Sequence, residues 1–490
     1  MSQPDPKPTS PSRRDFLKTS TIAAVGASAL SSLTVLPGAY AQGSETIKIG
    51  LIGCGGRGTG AASQALSTQG GVKLTAMGDL FPDRLNGAVN ELKKAVGEKK
   101  ERFDVADDRK FTGFDAFQKV LATDVDLVIL ATPPHFRPMH FAAAVAAGKN
   151  CFIEKPVAVD GPGVRSILKT SEEAKKKGLA VVCGLQRHHQ FGYIETMKRL
   201  HEGEIGDIVA SRAYWNMGSL WMNPRKPEWS DMEWQLRNWL YFAWLSGDHI
   251  CEQHVHNLDV VNWAKQAHPI SCSGMGGRQV RTDPAFGHIF DHHANHYEYA
   301  DGSWLFSQCR QIPDCADSVS EHFIGTKGKA SLDSGRWTID AAAKWRYDGE
   351  KNNPYQTEHD DLFASIRAGK PLNEGQFVAE STLTAVMGRM ATYSGKKVTW
   401  EQALNSELHL GPTTYDFGPL PTPPVAVPGV TVSFELDRVF RNSGCGYSSC
   451  SRCIPHLVSV RRIAAYELPQ VSNGPRHNDV KACDSAGKND

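Results

Sequence analysis

Ile47-Lys48-Ile49-Gly50-Leu51-Ile52-Gly53-Cys54-Gly55-Gly56-Arg57-Gly58 is the stretch that decides the fold of this chain. Six residues of apolar, β-prone character ending in glycines are the mark of a buried parallel strand. The glycines that follow have the G-x-G-x-x-G spacing of a dinucleotide turn. Gly53 allows the tight turn, Gly55 lets a pyrophosphate approach the backbone, and Gly58 lets helix pack closely on strand, with Gly56 and Arg57 in the same loop. A helix expected from Thr59 to about Thr68 offers its free N–H groups and positive dipole end to phosphate. A second strand, Val72 to Met77, ends at Gly78-Asp79. A carboxylate there accepts hydrogen bonds from the adenosine ribose. It repels a 2′-phosphate, which favours NAD over NADP, while Arg84 close by keeps NADP open.

Outward from this unit the pattern alternates. Helical stretches cover Asp83 to Gly97, Phe114 to Leu121 and His140 to Ala147. Strands are expected at Val125–Ala131 and Asn150–Glu154. Such alternation predicts an α/β domain of Rossmann type, a doubly wound parallel sheet over residues 46–155. After Pro156 come a helix (Gly163 to Lys177), a strand (Leu179 to Cys183) and strand-like runs separated by Gly/Asp turns, at Ile208–Asn216, Ile270–Gln279, His296–Tyr299, Ser303–Arg310 and Val319–Ile324. Residues 156–410 therefore read as an α+β domain with a mostly antiparallel open sheet. Helices Thr357–Arg367 and Gln376–Ser394 close it. Residues 411–490 are proline-rich at first, then lack periodicity, and read as a disordered tail. Cys445, Cys450 and Cys453 in that tail have too few companions for a zinc site.

Ser12-Arg13-Arg14-Asp15-Phe16-Leu17-Lys18, a modestly apolar stretch to Leu36 and Ala39-Tyr40-Ala41 have the order of a twin-arginine signal with its cleavage site. Residues 1–41 are thus expected to be removed, placing the mature protein in the periplasm or outside the cell. Twin-arginine export moves folded chains, so a cofactor would be loaded beforehand. The formal net charge of +1 on 490 residues gives no field for nucleic acid, and no membrane span is expected in the mature chain. Eleven cysteines, an odd number, suggest no disulfide framework.

Three further motifs complete a resemblance. Ala131-Thr132-Pro133-Pro134-His135 follows the fourth strand, Glu154-Lys155-Pro156 stands at the domain junction, and Gly247-Asp248-His249-Ile250-Cys251-Glu252-Gln253-His254-Val255-His256-Asn257-Leu258-Asp259 is similar to a D-x-x-x-H-x-x-D helix. With the glycine loop, Asp79 and Arg84, these residues make the chain resemble the glucose–fructose oxidoreductase/inositol dehydrogenase (Gfo/Idh/MocA) family over about residues 46–410. The resemblance implies a nicotinamide cofactor touched by Thr132, Pro134, His135, Glu154 and Lys155. It also implies an open sheet in the second domain that makes a homo-oligomer, a dimer or tetramer.

The residues suggest chemistry of their own. Oxidising a secondary alcohol needs a group to take the hydroxyl proton while hydride leaves carbon. Lys155, at the carboxyl end of a buried strand beside the cofactor crevice, can relay that proton. His256 is the candidate base. Glu252 and His256 are four residues apart, so one helix would align them and let the carboxylate orient the imidazole. The family commonly has aspartate at the Glu252 position. Asp259 would either meet substrate or brace the helix. His249, Glu252, His254 and His256 could offer metal ligands, but on one helix His254 points away from the Glu252–His256 stripe, so no metal is expected.

Gln186, Arg187, His188 and Tyr241, with a run of tryptophans, suggest a small carbohydrate pocket. The leading expectation is an exported NAD-dependent oxidoreductase acting on a sugar, polyol or glycoside hydroxyl carbon. An alternative is a glycoside hydrolase or epimerase that oxidises the sugar transiently. A cofactor-bound binding protein without turnover is the third reading, and intact Lys155 and His256 argue against it.

Overall fold

A computed structural model describes residues 46–218 and 220–432. The expected signal segment and cleavage site, the tail from residue 433 and its three cysteines lie outside the described residues.

The expected Rossmann sheet forms. Strands β1 (Thr46–Ile52), β2 (Gly71–Asp79), β3 (Lys110–Thr112), β4 (Leu127–Leu130), β5 (Asn150–Ile153) and β6 (Val181–Cys183) lie in the order β3-β2-β1-β4-β5-β6. Every pairing among them is parallel. Both faces are covered by helices, so the central strands are apolar throughout: Ile49, Leu51, Leu127, Ile129 and Phe152 are fully buried. Each such side chain contributes about 1.5–3 kcal/mol of burial. The order reverses between β1 and β4, and a ligand crevice opens at that switch point, outside the carboxyl ends of the strands.

The strand at Leu179–Cys183, read above as the first of the second domain, is instead the sixth of this sheet. Pro156 ends one strand without ending the alternation. The helix Gly161–Lys176 carries the chain across to β6, another right-handed βαβ unit.

The second sheet has nine strands: β7 (Ile208–Met217), β8 (Ser271–Gly277), β9 (His292–Glu298), β10 (Trp304–Gln311), β11 (Ser318–Gly325), β12 (Lys329–Asp333), β13 (Trp337–Asp340), β14 (Lys344–Arg346) and β15 (Val398–Thr399). Their order is β14-β13-β12-β11-β7-β10-β9-β8-β15, antiparallel except for the β7–β10 pair. Its inner face packs on the helices Val255–Lys265 and Gly375–Ser394, both buried on nearly every side. Its outer face is open, and β10 alternates accordingly: Leu305 and Cys309 are buried, Trp304 and Phe306 are exposed. No described helix is long and apolar enough to cross a membrane.

Residues 411–432 are described, and they are not the disordered segment that their prolines suggest. Tyr415 and Phe417 pack on Phe114, and Phe417 also meets Phe81. The Leu420 N–H donates to Asp231 and its carbonyl accepts from Gln235. Three apolar side chains among the prolines are enough to anchor this segment.

Candidate active site

The glycine loop divides its labour. Gly53 has φ +97°, and a Cβ there would stand 2.6 Å from the Ala131 carbonyl carbon and the Thr132 nitrogen. A Cβ at Gly58 would stand 1.9 Å from the Gly53 oxygen. Those two glycines are required by packing of protein on protein. Gly55 and Gly56 differ, because a Cβ on either would meet nothing within 4 Å. Both face a cavity of about 600 Å³ that the loop lines. Gly55 is the N-cap of the helix Gly56–Ser67 and offers no capping side chain, so the first-turn N–H groups are left for a ligand. The donor set and the open cradle fit a dinucleotide pyrophosphate. Gly58→Ala is expected to cost about 1–3 kcal/mol or more by overpacking. Thermal unfolding with and without NAD should show both a lower Tm and no stabilisation by the nucleotide.

Asp79 ends β2 on the cavity wall. Its carboxylate accepts from the Cys54 N–H at 2.6 Å and the Phe81 N–H at 2.8 Å. Burial pushes its pKa up, against those two N–H groups and Arg84. Arg84 itself is exposed and lines the same cavity. Thr132 lines it too, with Oγ1 3.2 Å from His140 Nδ1.

Other expected cofactor residues take different roles. His135 Nε2 is 2.7 Å from the Tyr415 hydroxyl, and burial pulls its pKa down to about 4. His135 thus anchors the segment after residue 411 and does not line the cavity, and neither does Pro134, which starts the short turn beneath it. Glu154 is also buried, and it accepts from Arg57 Nε. Arg57 spends its other groups on Glu358 (2.8 Å) and Gln64 (3.0 Å). Burial works against the Arg57 charge, but the two carboxylates outweigh it and raise its pKa. The loop arginine is therefore clamped from beneath.

Glu358 went unread because it stands 301 residues from Arg57, on the helix Pro354–Arg367. Its neighbourhood includes His189, which lies 2.6 Å from Asp361 and 3.2 Å from Glu374. Burial opposes the imidazolium, yet these carboxylates prevail and raise its pKa to about 10. The linked stability is fully present below the unfolded-state value of about 6.5 and is lost as pH rises through about 10. A His189→Gln variant should flatten the fall of Tm over that range in a thermal melt series.

Lys155 Nζ donates to Glu252 Oε1 at 3.1 Å and to the Glu252 carbonyl. Glu252 lines the cavity. The single helix expected over Glu252, His256 and Asp259 is two helices, His249–Glu252 and Val255–Lys265. The break falls at Gln253, whose side chain accepts from Gln311 and donates to Met217 Sδ. Glu252 consequently turns to Lys155 and does not orient His256.

His256 is buried against Trp215, ring centroids 5.7 Å apart, and its Nδ1 has no hydrogen-bond partner. Burial, then Lys155 and Arg187, hold its pKa well below the ordinary value. Its ring is neutral and, like Lys155, it is not among the residues that line the cavity.

The residues expected to meet substrate each have partners within the protein. Asp259 accepts from His188 Nε2 and from Ser381, each at 2.8 Å. His188 is stacked between Trp263 and Phe377. This pair braces the helix Val255–Lys265. Arg187 is buried in an ion pair with Glu321, which also accepts from Tyr193 (2.9 Å) and Asn257 (2.5 Å). Gln186 Nε2 donates to Tyr355, whose ring lies under Arg57. Tyr241 is buried and donates to the Trp221 carbonyl at 2.8 Å.

Arg237 is a cavity residue that no local motif signals. It reaches from the helix Asp231–Arg237 to pair twice with Asp83, at 3.0 Å each, and its guanidinium stacks 3.9 Å from the Phe81 ring centroid. With Trp221 and Trp239 it lines the same cavity as the glycine loop.

Residues 47–185 match the family model described as "Oxidoreductase family, NAD-binding Rossmann fold", GFO_IDH_MocA. Among relatives, an inositol 2-dehydrogenase of Paracoccus denitrificans is 25% identical over 218 residues, 44% of this chain and 54% of that protein. A glycosyl hydrolase family 109 protein of Solibacter usitatus is 29% identical over 212 residues, 42% of this chain and 46% of that protein. The chain thus spans about half the length of the curated relatives it matches. The crystal structure of scyllo-inositol dehydrogenase from Lactobacillus casei with NAD(H) and scyllo-inositol has a similar fold, with TM-score 0.56 and 19% identity over 73% of this chain and 99% of that one. Residues 47–185 are accordingly similar to the NAD-binding Rossmann fold that the GFO_IDH_MocA model describes, inside a larger fold shared with a solved inositol dehydrogenase.

Proposed function

We propose that this protein is an NAD-dependent oxidoreductase acting on a hydroxyl-bearing carbon of a sugar, polyol or glycoside. The observation that carries the reading is one cavity, with the glycine loop and Asp79 on one side and Glu252, ion-paired to Lys155, on another. The bound nicotinamide would supply the hydride acceptor or donor. Lys155 Nζ, held by Glu252, donates a hydrogen bond to the reacting hydroxyl. His256, kept neutral by burial, takes the proton in oxidation and returns it in reduction. Asp79 at the ribose end favours NAD over NADP.

The twin-arginine segment supports export to the periplasm or beyond with the cofactor already bound. A second reading rests on the similarity to a glycosyl hydrolase family 109 protein. Transient oxidation next to a glycosidic or stereogenic carbon acidifies the adjacent C–H, so the same Lys155 and His256 would serve elimination or inversion. Exposed Trp304, Phe306 and Met275 on the open sheet support a homodimer or tetramer through that face.

The test begins with the purified mature protein, denatured to see whether nucleotide is released. Sugars and aryl glycosides are then supplied separately. Nicotinamide absorbance that changes in proportion to a free sugar supports oxidoreduction, and aglycone release without net reduction supports the second reading. Neither response across a broad sugar set would overturn both. Light scattering reports the assembly state.

A further inference from the structure

Outside the cofactor cleft, metal-ligating groups converge among the described residues at Asp248, His249 and His293, whose donor atoms all lie within 4.8 Å of one another. All three are buried, and they come from two distant parts of the chain. Asp248 and His249 open the short helix that ends at Glu252, and His293 lies on β9.

The hydrogen accounting around them leaves two buried imidazole nitrogens, Nε2 of His249 and Nε2 of His293, without hydrogen-bond partners. Thr392 Oγ1 is 3.1 Å from the Gly388 and Arg389 carbonyls, so its hydrogen goes to the main chain. His293 Nδ1, 2.8 Å from that Oγ1, must then be an N–H donor. A neutral ring in this tautomer turns the bare lone pair of Nε2 toward Asp248 Oδ2, 3.3 Å away, and Nε2 has no hydrogen-bond partner. Two lone pairs facing one another in a dry interior repel unless a proton or a metal cation stands between them.

His249 also presents one bare buried nitrogen. Its Nδ1 is 2.8 Å from Asp248 Oδ1, while Nε2 is buried without a partner. The two imidazole rings are 4.9 Å apart between centroids. Asp248 Oδ2 accepts from the Tyr393 hydroxyl at 2.6 Å and from the Phe290 N–H at 3.0 Å.

We propose that Asp248, His249 and His293 bind a divalent transition-metal ion of the zinc class. Two imidazoles and one carboxylate suit such an ion, whereas calcium and magnesium take oxygen ligands. The surroundings are closed, so the site is structural. The ion ties the helix that bears Glu252 to β9.

The test uses the full chain, expressed with zinc in the medium and purified without a histidine tag. Elemental analysis should find a single zinc per chain, and X-ray absorption at the zinc edge should show nitrogen and oxygen neighbours with imidazole scattering. His293→Gln and Asp248→Asn should each lose the zinc. Absence of stoichiometric zinc in the wild type overturns the proposal, as does zinc retained in His293→Gln. Sulfur neighbours in the wild-type spectrum also overturn it, because they place the metal on cysteines; that measurement needs no variant to fold.

Discussion

Lys155→Ala is expected to reduce kcat by about 10²–10⁴-fold, the range for removing a positioned proton-transfer group, while nucleotide stays bound. The separation follows from the geometry. Lys155 Nζ bonds to Glu252, whereas the pyrophosphate cradle is built from Gly53 to Gly58 and the ribose end from Asp79. Removing the ammonium leaves the far end of the cavity intact. It also leaves Glu252, whose side chain is 17% exposed, with an unpaired carboxylate that water can reach, so the fold should survive. Single-turnover kinetics on a nucleotide-saturated variant gives the answer, and turnover at the wild-type rate would sink the proposed mechanism.

Glu321→Ala is expected to destabilise the protein by about 3–5 kcal/mol, the cost of breaking a buried ion pair by removing one partner. Glu321 is fully buried and accepts from Arg187, Tyr193 and Asn257 together. Its loss leaves the Arg187 guanidinium, 6.0 Å from the Trp215 ring centroid, without its ion-pair partner and with Asp259 as the carboxylate that still acts on it. Because Trp215 also stacks on His256, the damage should extend to the candidate base. Denaturant unfolding measures the loss of stability. Arg187→Met together with Glu321→Leu should recover much of it, since replacing both partners removes the stranded charge. A Glu321→Ala protein as stable as wild type would mean that Arg187 finds another partner.

What could be read in advance had a common physical basis. The turn at Gly53, the close approach at Gly58 and the carboxylate at Asp79 belong to one βαβ unit of contiguous chain, in which hydrogen bonding and packing are local. Period and glycine spacing are therefore sufficient. The same reasoning misplaced Leu179–Cys183, because a proline that ends a strand looks like one that ends a domain. It also took residues 411–432 for a disordered segment, since composition does not reveal that Tyr415 and Phe417 have an aromatic surface to meet.

The candidate site shows the division most clearly. Sequence alone revealed every strand of the Rossmann sheet but Lys110–Thr112, the glycine loop, the carboxylate at Asp79 and the presence of Lys155 and His256. Tertiary structure alone decided their partners. Glu252 belongs to Lys155, 97 residues away, because tertiary bonds to Gln253 break the helix that would have aimed it at His256. Arg57 belongs to Glu154 and Glu358, Arg187 to Glu321, and Asp248 and His249 to His293. Periodicity states which face of an element is buried. It does not state which charge, arriving from elsewhere in the chain, will be buried against it, and in a low-dielectric interior that pairing sets the protonation and aim of every group in the site.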